Sequence, residues 1–215
     1  MSLKIENLHT YGWADAIRGM RNPLNSWEKA DTTFEFDPST GSLVEVKFGP
    51  NDLSLVGRLV KGGSPHRKFL RQILVTMDIT APSYWWAEMD TYKVATTRDS
   101  CSIQHKGSSR DFVQGDFSLD SLPERMSEEK ADLEKVIDIV NKWRRLYVET
   151  GDYRYFRLMR QLLPSGYNYR STWSGNLETI ANILEWRKNH RLSEWHEFCA
   201  EVEKIPGYKE TVGNA

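Results

Sequence analysis

The stretch from Arg160 to Arg187, RQLLPSGYNYRSTWSGNLETIANILEWR, carries most of the information about the fold. From Asn176 onward its apolar residues recur at the three- and four-residue spacing of a helix. On such a helix Asn176, Ile180, Ile183 and Arg187 lie on one stripe. A guanidinium drawn toward an apolar core is costly unless an anion meets it. We therefore expect either an acidic side chain or an anionic ligand to pair with Arg187.

The size and charge of the chain exclude several classes of protein. Its 215 residues suit one domain, and we expect a single domain over residues 1–215. The 29 basic and 30 acidic side chains give a net charge of −1, which argues against a nucleic-acid binder. No apolar run is long enough to span a bilayer, and no export leader is visible, so we expect no membrane association. The two cysteines, Cys101 and Cys199, are typical of a cytoplasmic protein.

Hydrophobic periodicity predicts both strands and helices. Alternating residues predict a strand over 3–8 and a hairpin over 32–48 that serves as a scaffold or a mobile flap. An apolar, β-branched run over 69–79 predicts a central strand. Helical spacing, with Asn51 as one N-cap, predicts helices over 13–20, 51–61, 83–93, 127–150, 153–163 and 193–202. The fold class is therefore α+β.

Three segments lack this periodicity. Residues 94–105 are rich in hydroxyl side chains, which favour loops; such turns can hold phosphate, although most are simply turns. Residues 106–126 are predicted to form an exposed linker. The tail after Pro206 is expected to be frayed.

Common catalytic motifs are missing from the sequence. It has no phosphate-binding glycine loop, no G-x-G-x-x-G after a strand and no G-x-S-x-G. His196 and Cys199 can share a helix face, but two ligands without a third make a poor metal site. We predict no metal centre.

The spacing within residues 160–187 resembles that of the flavin-dependent thymidylate synthases (the ThyX family). That family has an arginine four residues before a proline, an asparagine twelve after it, a second asparagine six further on, and an arginine five beyond that. The corresponding residues here, in register without a gap, are Arg160, Pro164, Asn176, Asn182 and Arg187.

A second block extends the resemblance. The family's flavin-contacting histidine lies fifteen residues before an Ala-Pro pair, as His66 does before Ala81-Pro82. A glutamine of the following helix is replaced by Glu88. The family signature R-H-R-x-x-S-x-N-x-x-S-x-R falls, without a gap, on Thr91, Tyr92, Lys93, Thr96, Arg98, Cys101 and Ile103.

The resemblance implies a ThyX-like fold, with helices flanking a central, mostly antiparallel sheet. It implies reductive C5 methylation of dUMP to dTMP, with methylene-tetrahydrofolate as carbon donor, FAD as hydride carrier and NADPH as reductant of the flavin. It also implies a homotetramer with active sites between subunits.

The same resemblance implies roles for individual residues. Arg187 is the expected catalytic residue, lying against the pyrimidine edge, and Arg160 is expected to bind the phosphate. The expected cofactor-binding residues are His66, Lys93, Asp99, Asn176 and Asn182. The expected substrate-binding residues are Arg160, Arg187, Glu88, Ser100, Cys101 and Ser102.

Each role has an alternative. Asn176 is also a good helix N-cap, and His66 after Pro65 is also a plausible turn residue. Arg160 can instead pair with Glu185 or another carboxylate. Cys101 is either a nucleophile toward pyrimidine C6 or a buried, inert cysteine. For the whole chain, the alternative is a nucleotide-binding protein of the same fold that has lost the flavin reaction, or one that acts on another pyrimidine. The carboxylate of Glu88 can accept from the exocyclic amine of cytosine.

Overall fold

The computed structural model describes residues 3–103, 107–118 and 126–214, and its fold is α+β as predicted. The strands are β1 (Lys4–Tyr11), β2 (Thr33–Phe36), β3 (Leu43–Lys47), β4 (Leu74–Pro82), β5 (Thr97–Ser100) and β6 (Asn168–Asn176). The helices are α1 (Trp13–Gly19), α2 (Pro50–Lys61), α3 (Ser83–Met89), α4 (Met126–Thr150), α5 (Tyr153–Leu162), α6 (Leu177–Arg187) and α7 (Ser193–Val202).

The central sheet has the strand order β1-β4-β6-β5, and β2 and β3 form the predicted antiparallel hairpin. Along β4 every second side chain is buried, as expected for a strand with one face on a core. The strand predicted over 69–79 begins later, because residues 68–72 form a 3₁₀ helix that buries Phe69 and Leu70. A continuous apolar run does not distinguish the two conformations.

The region after α3 also differs from the prediction. The helix expected over 83–93 ends at Met89, and the hydroxyl of Thr91 donates to the carbonyl of Glu88 at 2.7 Å. Within the predicted loop 94–105, residues 97–100 form the edge strand β5. Strand pairing therefore overrides the loop preference of these hydroxyl-rich residues.

The chain divides into two compact units. The first is formed by the described residues within 1–4, 80–91 and 99–171, and the second by those within 5–79, 92–98 and 172–215. The single domain over 1–215 stays a prediction.

The core of the first unit includes part of the segment that was expected to be an exposed linker. Phe112 and Phe117 are only 5% and 7% exposed and belong to a cluster completed by Ile137, Val140, Phe156 and Met159 of α4 and α5. Asn141 fixes the segment by accepting from the backbone N–H of Phe112 at 2.8 Å and donating to its carbonyl at 2.9 Å. The linker prediction is thus wrong for these two residues, and residues 119–125 lie outside the described ranges.

The second unit contains a buried ion pair between Arg21 and Asp52, whose side chains are 3% and 0% exposed. Nε of Arg21 donates to Oδ1 of Asp52 at 2.6 Å. The other carboxylate oxygen accepts from the backbone and hydroxyl of Thr32 and from the backbone of Asp31. Burial raises the pKa of Asp52, but these hydrogen bonds outweigh it and hold the pKa below its ordinary value.

The N-terminus of α2 is capped from outside the helix. The predicted N-cap, Asn51, lies inside the helix, which begins at Pro50 after Gly49. The carboxylate of Asp31 accepts from the backbone N–H groups of Asn51 and Asp52, each at 2.9 Å. An anion at this end also interacts favourably with the helix dipole. A Cβ on Gly49 would lie 2.2 Å from the Asp31 carboxylate carbon, so this approach requires glycine.

The C-terminal tail is ordered against the second unit, and the prediction of a frayed tail is wrong. Tyr208, Thr211 and Val212 are buried, and the hydroxyl of Thr211 donates to the carbonyl of Gly207 at 2.6 Å. The apolar side chains that follow Pro206 bury surface, which offsets the loss of chain entropy. Across the described ranges, no helix is long and apolar enough to cross a membrane.

Replacing Asp52 by Asn should destabilise the second unit strongly. The substitution leaves the Arg21 charge buried without its counter-ion, for which we expect a loss of about 3 to 5 kcal/mol in the free energy of unfolding. Urea denaturation at neutral pH measures the change. Asp132→Asn, in an exposed pair with Lys135, is the matched control and should change stability by less than about 0.5 kcal/mol. Equal effects of the two substitutions would contradict the importance of the buried pair.

Candidate functional site

Helix α6 carries three of the predicted site residues. Asn176 is its N-cap, and its side-chain oxygen accepts from the backbone N–H of Thr179 at 2.9 Å. The N-cap interpretation of Asn176 is thereby confirmed, while its cofactor role stays a prediction. Asn182 lies on the exposed face, and Arg187 is the last residue of the helix.

The segment 92–96 is attached to this helix. The hydroxyl of Thr179 contacts both Asn176, at 3.1 Å, and the carbonyl of Val94, at 3.2 Å. Ala95 has a left-handed φ of 57°, a conformation that costs a non-glycine residue about 1 to 2 kcal/mol. The attachment to α6 helps to offset that cost, and it places the exposed Lys93 within a segment fixed to the helix.

Arg187 is half-buried between aromatic groups. Its Nε donates to the phenol oxygen of Tyr92 at 2.9 Å. The guanidinium carbon lies 4.6 Å from the ring centroid of Trp195 and 5.5 Å from that of Tyr92. Trp195 is fully buried, so the stacking occurs in a desolvated setting, where a cation–π contact contributes about 1 to 2 kcal/mol. Aromatic contacts therefore supply part of the stabilisation that we expected from an anion.

Glu178, in the first turn of α6, joins the helix to the segment 64–71. Its carboxylate accepts from the hydroxyl of Ser64 at 2.8 Å, from Nε of Arg67 at 3.3 Å, and from Nε of Arg71. Burial raises the pKa of Glu178, but the hydrogen bonds from Arg71, Ser64 and Arg67 outweigh it and hold the pKa below its ordinary value.

The same arginine cluster reaches Asn182, whose side-chain oxygen accepts from Nη2 of Arg67 at 3.1 Å. Arg67 directly follows His66, so the turn that carries His66 is fixed to α6. His66 is exposed and lies against Gly62, where a Cβ would be 3.0 Å from its ring. The turn interpretation of His66 agrees with this position, and its flavin contact stays a prediction.

A cleft of about 650 Å³ lies beside His66. Its lining combines apolar and basic side chains, chiefly Met20, Leu55, Phe69, Arg58, His66 and Lys68. Within residues 3–103, 107–118 and 126–214, no carboxylate forms an ion pair with Arg58 or Lys68. Its size and chemistry suit an organic ligand that carries negative charge.

The expected substrate-binding residues Ser100, Cys101 and Ser102 belong to the first unit, as does Asp99. Asp99 and Ser100 lie on β5, and the backbone N–H of Cys101 donates to the carbonyl of Arg170 at 2.9 Å. This contact with β6 uses one of the backbone N–H groups of residues 99–102. Cys101 is exposed, so its interpretation as a buried cysteine is wrong, and Ser102 is half-buried.

The remaining predicted residues also lie in the first unit. Arg160 is exposed in the last turn of α5, and Glu88 is half-buried in α3. The structure therefore gathers five predicted residues around α6 in the second unit: His66, Lys93, Asn176, Asn182 and Arg187. The other predicted residues belong to the first unit, and their roles stay predictions.

Sequence reasoning missed the cluster of Arg67, Arg71 and Glu178. The two arginines are four residues apart, a spacing that only weakly predicts that their side chains lie close together. Their carboxylate partner is more than one hundred positions away, and no local pattern predicts such a pairing. Over the described parts of the chain, no group of three or more His, Cys, Asp or Glu side chains is arranged to hold a metal ion.

Comparison with known proteins supports the fold. No protein-family model matches the chain, and no curated protein matches its sequence. Two solved structures of the flavin-dependent thymidylate synthase ThyX from Helicobacter pylori, each complexed with FAD and dUMP, match it with TM-scores of 0.70 and 0.66. They are 15% and 16% identical in sequence, and each match covers 98% of this chain and 96% of the other. The predicted resemblance and fold are confirmed.

Replacing Glu178 by Gln should loosen the attachment of the segment 64–71 to α6. Losing hydrogen bonds between a carboxylate and charged donors should lower the free energy of unfolding by about 2 to 3 kcal/mol at neutral pH. Because the folded-state pKa is lowered, this stabilisation is present above the unfolded pKa and is lost as pH falls through the folded value. Urea denaturation should therefore show a difference between the proteins that shrinks below about pH 4.

Glu185→Gln, on the exposed face of the same helix, is the control and should leave stability nearly unchanged. A Glu178→Gln effect that does not depend on pH would contradict an ionised carboxylate in this cluster.

Proposed function

We propose that this protein is a flavin-dependent enzyme of the thymidylate synthase type, which methylates C5 of dUMP to give dTMP. The observation that carries the proposal is helix α6, which presents Asn176, Asn182 and Arg187 within a fold shared along 98% of the chain with an enzyme complexed with FAD and dUMP. The proposed homotetramer and cytoplasmic location rest on the sequence alone.

Arg187 and Arg160 are the proposed substrate-binding residues. Donors on the Arg187 guanidinium, held against the pyrimidine edge, favour the N3-deprotonated ring and so raise the electron density at C5. Arg160, in the last turn of α5, is the proposed partner of the phosphate, since a planar guanidinium can bind two phosphate oxygens at once. Glu88, Ser100, Cys101 and Ser102 are proposed to complete the substrate site.

The residues around the cleft fit a flavin. Its volume of about 650 Å³ lies within the range of organic ligand sites, its apolar side chains suit a planar ring, and Arg58 and Lys68 suit a phosphate-bearing ligand. His66 is the proposed ring contact, with Lys93, Asp99, Asn176 and Asn182 as further cofactor-binding residues. When bound, FAD would supply the hydride, methylene-tetrahydrofolate the carbon and NADPH the reducing equivalents.

A second candidate function is nucleotide binding without the flavin reaction. One observation favours it: Thr91 and Tyr92 replace an arginine and a histidine of the family signature. The chain therefore lacks two basic side chains that the family places in this segment. FAD binding separates the two functions.

FAD titration followed by flavin fluorescence should show quenching by the purified protein. Arg58→Glu reverses a charge at the cleft and should weaken FAD binding by about tenfold or more, a loss of about 1.4 kcal/mol. Lys61→Glu, exposed at the end of the same helix, is the control and should bind FAD like the wild type. If the protein is colourless and leaves FAD fluorescence unquenched, the flavoenzyme proposal is wrong, and dUMP binding then supports the second candidate.

Replacing Arg187 by Ala should abolish dUMP binding in isothermal titration calorimetry, because the proposed contact to the pyrimidine edge is removed. Arg191→Ala, four residues further along the chain and exposed, is the control and should retain wild-type affinity. An unchanged dissociation constant for Arg187→Ala would rule out its assigned role. Rescue of a thymidine-requiring strain by the wild type then tests the complete reaction.

A further inference from the structure

We infer that Tyr92 is a positioning residue that fixes the orientation of the Arg187 guanidinium. This inference rests on the proposed function, in which Arg187 contacts the pyrimidine. Two contacts define the arrangement: the hydrogen bond from Nε of Arg187 to the phenol oxygen at 2.9 Å, and the position of the guanidinium 5.5 Å from the phenol ring centroid. The side chain of Tyr92 makes both contacts.

The Nε contact determines which part of the guanidinium can meet a ligand. Arginine has five N–H donors in a planar fork, one on Nε and four on the two Nη atoms. Since Tyr92 accepts from Nε, recognition of a pyrimidine edge by Arg187 uses the Nη donors. A hydrogen bond at Nε also restrains rotation of the fork about its long axis, which lowers the entropy cost of a bidentate contact.

Trp195 restrains the guanidinium plane from a second direction. Its ring centroid lies 4.6 Å from the guanidinium carbon, and it is packed edge-on against Tyr92 with centroids 6.4 Å apart and planes at 70°. Because Trp195 is fully buried, it cannot move aside without disrupting the core. The two rings together restrict the plane of Arg187, while the phenol oxygen restricts its rotation.

Tyr92 is itself held in place by its neighbours. Its carbonyl accepts from the hydroxyl of Thr96 at 2.7 Å, and two residues further on the carbonyl of Val94 accepts from Thr179 at the start of α6. The segment that carries Tyr92 is therefore connected to α6 near its N-terminus by Thr179 and at its C-terminus by Arg187. This double attachment is the property expected of a side chain that positions another.

A double-mutant cycle tests the inference by measuring the dUMP dissociation constant. The proteins are the wild type, Tyr92→Phe, Arg187→Lys and the double variant. Tyr92→Phe keeps the ring and removes only the phenol oxygen, and it should weaken dUMP binding about five- to tenfold. Lysine has no Nε donor, so in the Arg187→Lys background the same change should alter the dissociation constant less than twofold. Tyr155→Phe, in the first unit, is the control and should bind like the wild type.

Three results would overturn the inference. Unchanged dUMP affinity of Tyr92→Phe would show that the phenol oxygen does not position Arg187. An equal loss in both backgrounds would show that Tyr92 acts independently of Arg187, through the general structure or by touching the nucleotide. Failure of the wild type to bind dUMP would overturn both this inference and the proposed function, whereas the first two results leave the proposed function standing.

Discussion

The second unit depends on the ion pair and hydrogen bonds that the buried carboxylate of Asp52 forms. This carboxylate is fully buried and accepts from Arg21, Thr32 and the backbone of Asp31, so two separate segments contact this one group of α2. Such a group is stabilising only while all its donors are present, since a buried charge without partners costs several kcal/mol. The neighbours of this pair line the cleft: Met20 precedes Arg21, and Leu55 lies one turn after Asp52. The shape of the cleft therefore depends on a salt bridge that does not line it.

Glu178 is a second buried carboxylate that joins distant segments of the second unit. It connects α6 to the segment that carries His66, and Arg67 extends the connection to Asn182. Each residue that the resemblance assigned on α6 consequently has a structural contact of its own. Asn176 caps the helix, Asn182 accepts from Arg67, and Arg187 lies between Tyr92 and Trp195. Their spacing in the sequence is explained in part by these contacts, and any ligand role adds to them.

The sequence predicted the elements whose cause is local. Helix α7 has the bounds that its apolar periodicity predicts. Helix α5, which lies between Gly151 and Pro164, differs from its prediction by one residue. The failures share one physical origin, which is packing between distant segments. Phe112 is buried because Asn141 binds its backbone, and the tail is ordered because Tyr208 and Val212 are buried. The sequence around Phe112 and around the tail gives no indication of the distant residues that bury them.

For the candidate site, too, some features could be predicted from the sequence and others could not. The resemblance located α6 and its polar residues, but the distinction between satisfied and unsatisfied charges required the structure. Arg21, Arg67 and Arg71 are neutralised by buried carboxylates, so an anionic ligand would have to compete with Asp52 or Glu178 for them. No such competition opposes a ligand at Arg58 and Lys68, which form no ion pair within the described ranges. An anion gains most where the protein has not already supplied the counter-charge, so an anionic ligand at the cleft would meet less competition than one at Arg21, Arg67 or Arg71. Arg187 is stabilised in another way, because the rings of Tyr92 and Trp195 contact its guanidinium and the phenol oxygen of Tyr92 accepts a hydrogen bond from its Nε. A cation–π contact lowers the cost of burying a guanidinium without adding a counter-charge. Packing against these rings is therefore compatible with the ligand contact proposed for Arg187.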